Sequence, residues 1–223
     1  MARNLLHEKG FEVIELHASG SGGMALEELV RSGEVSGVLD ITSSEVVNEL
    51  LGGIYSAGPH RLEAAGAAGV PQVVSLGAYD FANFGPKETI PEKYRGRNFF
   101  FYTPSITLMR TNVEENSLLG KVIANKLNGS CGPTALLAPR QGFSALDRQG
   151  SGRHKMSMDG KITGEWYDPE ADLALIHSLK QHLDPSRVLF KEVDCHINDP
   201  QFAEMAVERL GTLMQTTGKD KKV

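Results

Sequence analysis

A three-layer, Rossmann-like α/β fold with a mostly parallel, doubly wound sheet is the architecture this sequence predicts. Three observations predict it. Apolar, β-branched runs of strand length recur at 37–41, 72–76, 134–138 and 188–193. Stretches with apolar residues at helical spacing separate them. Strands that alternate with helices build βαβ units, and those units build parallel sheets.

Residues 1–9 carry Leu5 and Leu6 among helix formers and stop at Gly10, a helix terminator. FEVIEL at 11–16 reads as a strand, and HASGSGG at 17–23 leads into an amphipathic helix through Met24, Leu26, Leu29 and Val30. GVLDI at 37–41 is the next strand. The helix after it starts at TSSE, with Thr42 or Ser43 as N-cap, and ends at Gly52-Gly53. A helix over 61–68 precedes the strand QVVSL at 72–76, and 77–97 reads as a long loop. Extended pieces at 98–102 and 106–110 follow. Thr111 and Glu114 have capping-box spacing, ahead of a helix with Leu119, Ile123 and Leu127 on one face. TALLA at 134–138 and VLFKEV at 188–193 are strands. Asp168-Pro169 and Asp199-Pro200 each place an N-cap before a proline at the first helical position. The helices they open turn Leu175, Ile176, Leu179 and Leu183, and then Phe202, Ala206, Leu210 and Leu213, inward. The stretch 148–165 holds four glycines and few apolar side chains, so it reads as a mobile insertion or lid within one domain spanning 1–216. The tail 217–223 reads as disordered.

Length and charge bound the function. At 223 residues the chain can bury one sizeable core, and a net charge of -5 argues against general binding to nucleic-acid backbones or anionic membranes. No apolar run approaches the ~18 residues needed to cross a bilayer, and the first residues lack a signal-peptide core. Cys131 and Cys195 are too few and too far apart for a disulfide framework or a metal clip. The chain reads as a cytoplasmic protein.

Ligands of open parallel sheets bind outside the carboxyl ends of the strands, and the unusual polar residues fall there. Ser19, Gly20, Ser21, Gly22 and Gly23 follow His17, just before a helix. Their N–H groups can cradle a phosphate or carboxylate, or the loop is simply a tight turn. Asp40, Thr42, Ser43 and Glu45 follow the next strand; Asp80 and Asn83, then Ser144 and Asp147, follow two others; His196, Asn198 and Asp199 follow the last. His196 with Asp40 or Asp199 suits acid–base chemistry, although Asp199 serves equally as a helix cap. Arg110 can pair with a carboxylate or a phosphate. A metal site of His17, Asp40 and His196, or a triad of Ser144, His196 and Asp147, has no supporting spacing.

Ordered motifs run along nearly the whole chain: HASGSGG at 17–23, GVLDITSSE at 37–45, SAGPHRLEAA at 56–65, LGAYDFANFGP at 76–86, TLMRTNVEEN at 107–116, GFSALD at 142–147, YDPEADLAL at 167–175 and HINDPQFA at 196–203. The set resembles the largely uncharacterised family typified by the plant tobamovirus-resistance protein, whose members are described as ATP-binding. The resemblance implies ATP, with Mg²⁺, as a ligand; the alternatives are an enzyme acting on a small acid or phosphorylated carbonyl compound through His196 and Asp40 or Asp199, and a protein-interaction module. It also implies two Rossmann-like halves, of which this chain resembles the second. The partners it implies are a small-molecule ligand together with the other half or a second copy of the chain. A strand preceding residue 1 would then be missing, leaving a neighbouring strand edge exposed.

Overall fold

In a computed structural model of the chain, residues 1–217 are described; the tail from 218 on, expected to be disordered, lies outside them. The helices are α1 (Ala2–Glu8), α2 (Ser21–Arg31), α3 (Glu45–Leu51), α4 (Ala64–Ala67), α5 (Val113–Asn128), α6 (Pro169–His182) and α7 (Pro200–Thr217). The strands are β1 (Val38–Thr42), β2 (Gln72–Gly77), β3 (Phe81–Phe84), β4 (Phe99–Thr103), β5 (Ile106–Arg110), β6 (Thr134–Pro139), β7 (His154–Met156), β8 (Ile162–Glu165) and β9 (Val188–Val193). They form two sheets. One is parallel, in the order β1-β2-β6-β9; the other is antiparallel, in the order β3-β5-β4-β7-β8.

The parallel sheet sits where the apolar runs place it. β2 and β6 are buried along their whole lengths, so both of their faces need a partner. Val73, Ala135 and Leu137 pack with Leu6 of α1 and with Phe202, Ala206 and Leu210 of α7. Val74, Leu136 and Ala138 point the other way, toward α3, α5 and α6. Along α5, Leu119, Ile123 and Leu127 are fully buried as their spacing predicts. Together they contribute at most roughly 5–9 kcal/mol of apolar burial.

The antiparallel sheet corrects the expectation of a mostly parallel architecture. Residues 77–97, expected as loop, contain β3, which pairs with β5 through Phe81↔Arg110 and Phe84↔Thr107. The stretch 148–165, expected as an insertion, contains the β7–β8 hairpin, joined to β4 through Phe99↔Met156. It ends on Trp166, which is fully buried with Leu108 and Leu146.

Three local expectations shift. FEVIEL at 11–16 joins neither sheet: Glu12 makes an isolated bridge and the rest is unpaired. An alternating run becomes a strand only where a neighbour supplies a ladder, and here pairing stops at the single Glu12 bridge. The helix expected over 61–68 shortens to α4, because Leu62 takes a left-handed φ of 73° and the Glu27 carboxylate accepts the N–H groups of Leu62 and Ala64. The capping box moves by one residue. Asn112 accepts from the Glu115 N–H and Glu115 accepts from the Asn112 N–H, at 2.8 and 3.0 Å. Thr111 instead donates its hydroxyl to the carbonyl of Tyr79.

Candidate functional site

The predicted site residues separate into two buried charge clusters, a histidine clamp and a groove.

The first cluster is built on Arg61, which the sequence reading did not single out. Its guanidinium lies 2.6 Å from Asp40, 2.6 Å from Glu45 and 3.5 Å from Glu27, all of them buried. Burial opposes its charge, but Asp40 and Glu45 outweigh that and hold its pKa above the ordinary arginine value. Glu45 also accepts the N–H groups of Gly20 and Gly23, at 2.8 and 2.9 Å. The anion in the glycine loop is thus a carboxylate of the chain itself. The loop needs glycine for packing: a Cβ on Gly23 would stand 2.2 Å from Glu45, and one on Gly22 1.9 Å from the His17 carbonyl. Ser19 and Ser21 lie beside this loop, and the Ser19 hydroxyl bonds the His17 carbonyl. The N-cap of α3 is Ser44 rather than Thr42 or Ser43, and the Ser43 hydroxyl pairs with that of Tyr79. Asn83 is held by Asn48, which bonds both its backbone and its side chain.

The second cluster is built on Arg110 at the end of β5. Its guanidinium reaches Asp172 at 2.7 Å, Asp147 at 3.3 Å and the carbonyls of Asp80, Trp166 and Asp168. Asp80 accepts from the Ser144 hydroxyl at 2.7 Å and from the Trp166 indole at 2.8 Å through one oxygen; its other oxygen has no hydrogen-bond partner. Burial, with Asp147 nearby, pushes Asp80 up to about 6. Burial and the Asp172 charge push Asp147 up to about 8, so Asp147 carries a proton at neutral pH. Burial raises Asp172 as well. Glu27, Asn48, Arg61, Trp166 and Asp172 complete these networks from distant positions in the sequence, and no local spacing marks them.

His196 follows β9 as expected, and its ring is fully used. Nδ1 accepts the Asn198 N–H at 3.1 Å, which leaves the proton on Nε2 to donate to the Ser144 carbonyl at 2.9 Å. Burial lowers its pKa, favouring this neutral form. Asp199 accepts the His196 N–H and pairs with Arg148. The histidine therefore joins the loops after β6 and β9.

The groove lies along the free edge of β1 and encloses about 540 Å³. Val13, Leu26, Leu29, Val38, Leu39 and Phe202 line its apolar body. His17, Thr42, Asn198 and Asp199 line its polar end, and Asp40, Gly22, Gly23 and Arg61 reach it from the first cluster. His17, Thr42 and Asn198 are exposed. Arg3 of α1 also lines it, paired with Glu15 at 3.4 Å; both are more than half exposed. Ser43, Glu45, Asp80, Asn83, Arg110, Ser144 and Asp147 are not among its lining.

Among the described residues no helix is long and apolar enough to cross a membrane. The model of the uncharacterised protein family UPF0261 C-terminal domain matches residues 1–214. The UPF0261 protein of Clostridium tetani is 42% identical over 215 residues, covering 96% of this chain and 50% of that protein. A UPF0261 protein of Rhizobium meliloti is 42% identical over 197 residues, covering 88% and 46% respectively. The tomato ToMV resistance protein Tm-1(GCR237) is 38% identical over 204 residues, covering 91% of this chain and 25% of that protein. The chain thus spans about half, or less, of the length of the curated relatives it matches. With a family model covering nearly its whole length, the chain belongs to the UPF0261 family, whose C-terminal domain it matches.

Proposed function

We propose that the chain is a small-molecule-binding domain on a Rossmann-like, three-layer plan, taking a phosphorylated or carboxylated ligand at the carboxyl end of β1. The groove of about 540 Å³ that reaches this end carries the reading, a volume inside the ~300–1,000 Å³ usual for ligand sites. Its polar end holds exposed side chains, His17, Thr42 and Asn198, that are not consumed by the buried clusters. α7 begins beside them at Pro200, so its positive end faces the same space. Arg3 is held only by an exposed ion pair, worth ~0–1 kcal/mol, and can exchange Glu15 for a ligand anion at small cost.

ATP with Mg²⁺ is the ligand the family resemblance implies. Its phosphates find no free cradle at 20–23, because Glu45 already takes the N–H groups of Gly20 and Gly23. No group of three or more His, Cys, Asp or Glu among the described residues is placed to hold a metal ion. The residues present favour a small anion over a metal-bound triphosphate. Acid–base chemistry by His196 with Asp40 or Asp199 would require these groups to leave the partners that now occupy them.

Calorimetric titration with inorganic phosphate, AMP, succinate and Mg²⁺-ATP tests the reading. Heat is expected from at least one small anion, with Arg3→Ala and His17→Ala each weakening binding five-fold or more. Absence of heat and of thermal shift for all four at millimolar concentration would overturn it.

A further inference from the structure

We propose that the β7–β8 hairpin is a strap over the antiparallel sheet, held shut by the buried Arg110 cluster, and that loss of a proton from the cluster releases it. Every residue from 148 to 165 is exposed or half-buried, so the hairpin brings little apolar surface of its own to the domain. Its ladder reaches the rest of the sheet through Phe99↔Met156. Met158 packs partly against the main core, and Arg153 lies over the Phe100 ring at 5.9 Å. Lys155 pairs with Asp168 at 2.9 Å, and the Thr163 hydroxyl bonds the Asn98 side chain at 2.7 Å. The anchor is the residue that ends the hairpin. Trp166 is fully buried with Leu108 and Leu146, and the rings of Phe81 and Phe100 lie against it. Its N–H bonds the Arg153 carbonyl at 2.8 Å, closing the hairpin.

Trp166 is in turn held by the cluster. Its indole donates to Asp80 at 2.8 Å, and its carbonyl accepts from Arg110 at 3.2 Å. Leu146, packed with the ring, directly precedes Asp147. Lifting Trp166 therefore lets water reach the whole cluster. The groups around Asp147 are Arg110 from β5, Asp172 from α6, Asp80 from the turn after β2, Tyr167 and Asp168 ahead of α6, and His196 after β9. Lys155 offsets Asp168, and Arg148 offsets Asp199. While Asp147 keeps its proton, Arg110 faces Asp172 and Asp80 alone. Once Asp147 ionises, three carboxylates face one guanidinium in a space closed to water, where like charges repel strongly.

Two titrations set the direction. With the strap closed, burial and the Asp172 charge keep the Asp147 proton up to about 8. With it open to water, a carboxyl titrates near ~4. Opening thus releases a proton between these values, and each added pH unit favours the open strap by about ten-fold. The latch is tightest below pH ~4 and weakest above 8. Asp80, held at about 6, adds a second contribution in the lower half of the window. Release uncovers the apolar face formed by Phe81, Phe100, Leu108 and Leu146. Asp80, Arg110, Asp147, Trp166 and Asp172 lie outside the groove's lining, so this device is independent of the ligand reading.

Hydrogen exchange of the full chain, read by mass spectrometry and corrected for the intrinsic rate at each pH, tests the device. Peptides spanning 154–166 should lose protection by about 100-fold or more from pH 5 to pH 7. They should do so without added urea, and their protection should stay below that of β6 throughout, because the strap opens while the parallel sheet stays folded. Asp147→Asn should cut the change to about ten-fold, the part left to Asp80. Lys155→Ala, outside the cluster, should loosen the strap by the same factor at every pH. If Asp147→Asn gives no cooperative thermal transition, the wild-type comparison of strap with β6 decides alone. Strap amides as protected as those of β6, protection that does not change with pH, or an Asp147→Asn profile parallel to wild type would each overturn the proposal.

Discussion

Replacing Asp147 with Asn separates a buried proton from a buried charge. Asp147 is fully buried between Arg110 and the Phe143 N–H, and burial with the Asp172 charge lifts its pKa from 3.8 to about 8. In the unfolded chain the same group titrates near ~4. Between these values the folded protein holds a proton that the unfolded protein has released. Stability from this group is therefore fully present below pH ~4 and is lost as pH rises toward 8, at about 1.4 kcal/mol per pH unit. From pH 5 to pH 7 the loss is about 3 kcal/mol. Asp80, raised to about 6, adds to the slope in the lower part of that window. His196, lowered by burial, acts oppositely, since its unfolded imidazole takes up a proton before the folded one does. Asn reproduces the protonated carboxyl in size and polarity but does not titrate. The difference in unfolding free energy between wild type and Asp147→Asn, from urea titrations at pH 5, 6 and 7, should thus move by about 3 kcal/mol in favour of the variant, the His196 contribution cancelling. Parallel pH profiles for the two proteins would refute the reasoning.

Other substitutions test other parts of the structure. Arg61→Met strands Asp40 and Glu45 without their cation, leaves Glu27 only Arg31 at 3.8 Å, and should cost about 3–5 kcal/mol in urea unfolding, the scale for breaking a buried pair. Asn112→Ala should cost about 1 kcal/mol through loss of the α5 cap. Glu114→Ala, outside the box, should stay within about 0.5 kcal/mol by the same measurement. Gly142→Ala should show no cooperative thermal transition, because its φ is 119° and a Cβ there would stand 1.5 Å from the Asp147 carbonyl oxygen. Trp166→Phe removes an indole donor from Asp80 and should cost about 1–3 kcal/mol, the scale for an unsatisfied buried group.

The parallel sheet was legible because its central strands, β2 and β6, are buried on both faces, which leaves the uninterrupted runs VVSL and ALLA. The antiparallel sheet was hidden for the converse reason. β3, β7 and β8 are three or four residues long, lie among glycines and charges, and are strands only through pairing: β3 with β5, β7 with β4, and β8 with β7. FEVIEL misled in the other direction, since alternation records which side chains want burial and says nothing of whether a neighbouring ladder exists. At the strand ends the polar residues were found but their partners were not. Glu45 was visible as a carboxylate after a strand. That its anion-binding loop lies at Gly20 and Gly23, and its cation at Arg61, are contacts across 16 to 25 residues that no local spacing encodes.

The two guanidinium clusters explain why strand-end polarity is a poor guide to ligand contacts in this chain. Each sets three carboxylates against one buried arginine, and each meets the imbalance differently. Around Arg61 the backbone supplies four N–H groups, from Gly20 and Gly23 to Glu45 and from Leu62 and Ala64 to Glu27. Those bonds fix the path of the glycine loop and delay the start of α4. Around Arg110, Asp147 receives the Phe143 N–H and instead retains a proton. In both cases strand-end residues that look like ligand contacts are one another's partners, and their job is to lock loops that water would otherwise loosen. What remains for a ligand is the set these clusters do not consume: His17, Thr42 and Asn198 at the end of β1, with Arg3 held only by Glu15 across an exposed 3.4 Å pair. That set has one readily exchanged cation and no cradle of free amides, which is the ground on which we propose a small anion, rather than a triphosphate, as the ligand.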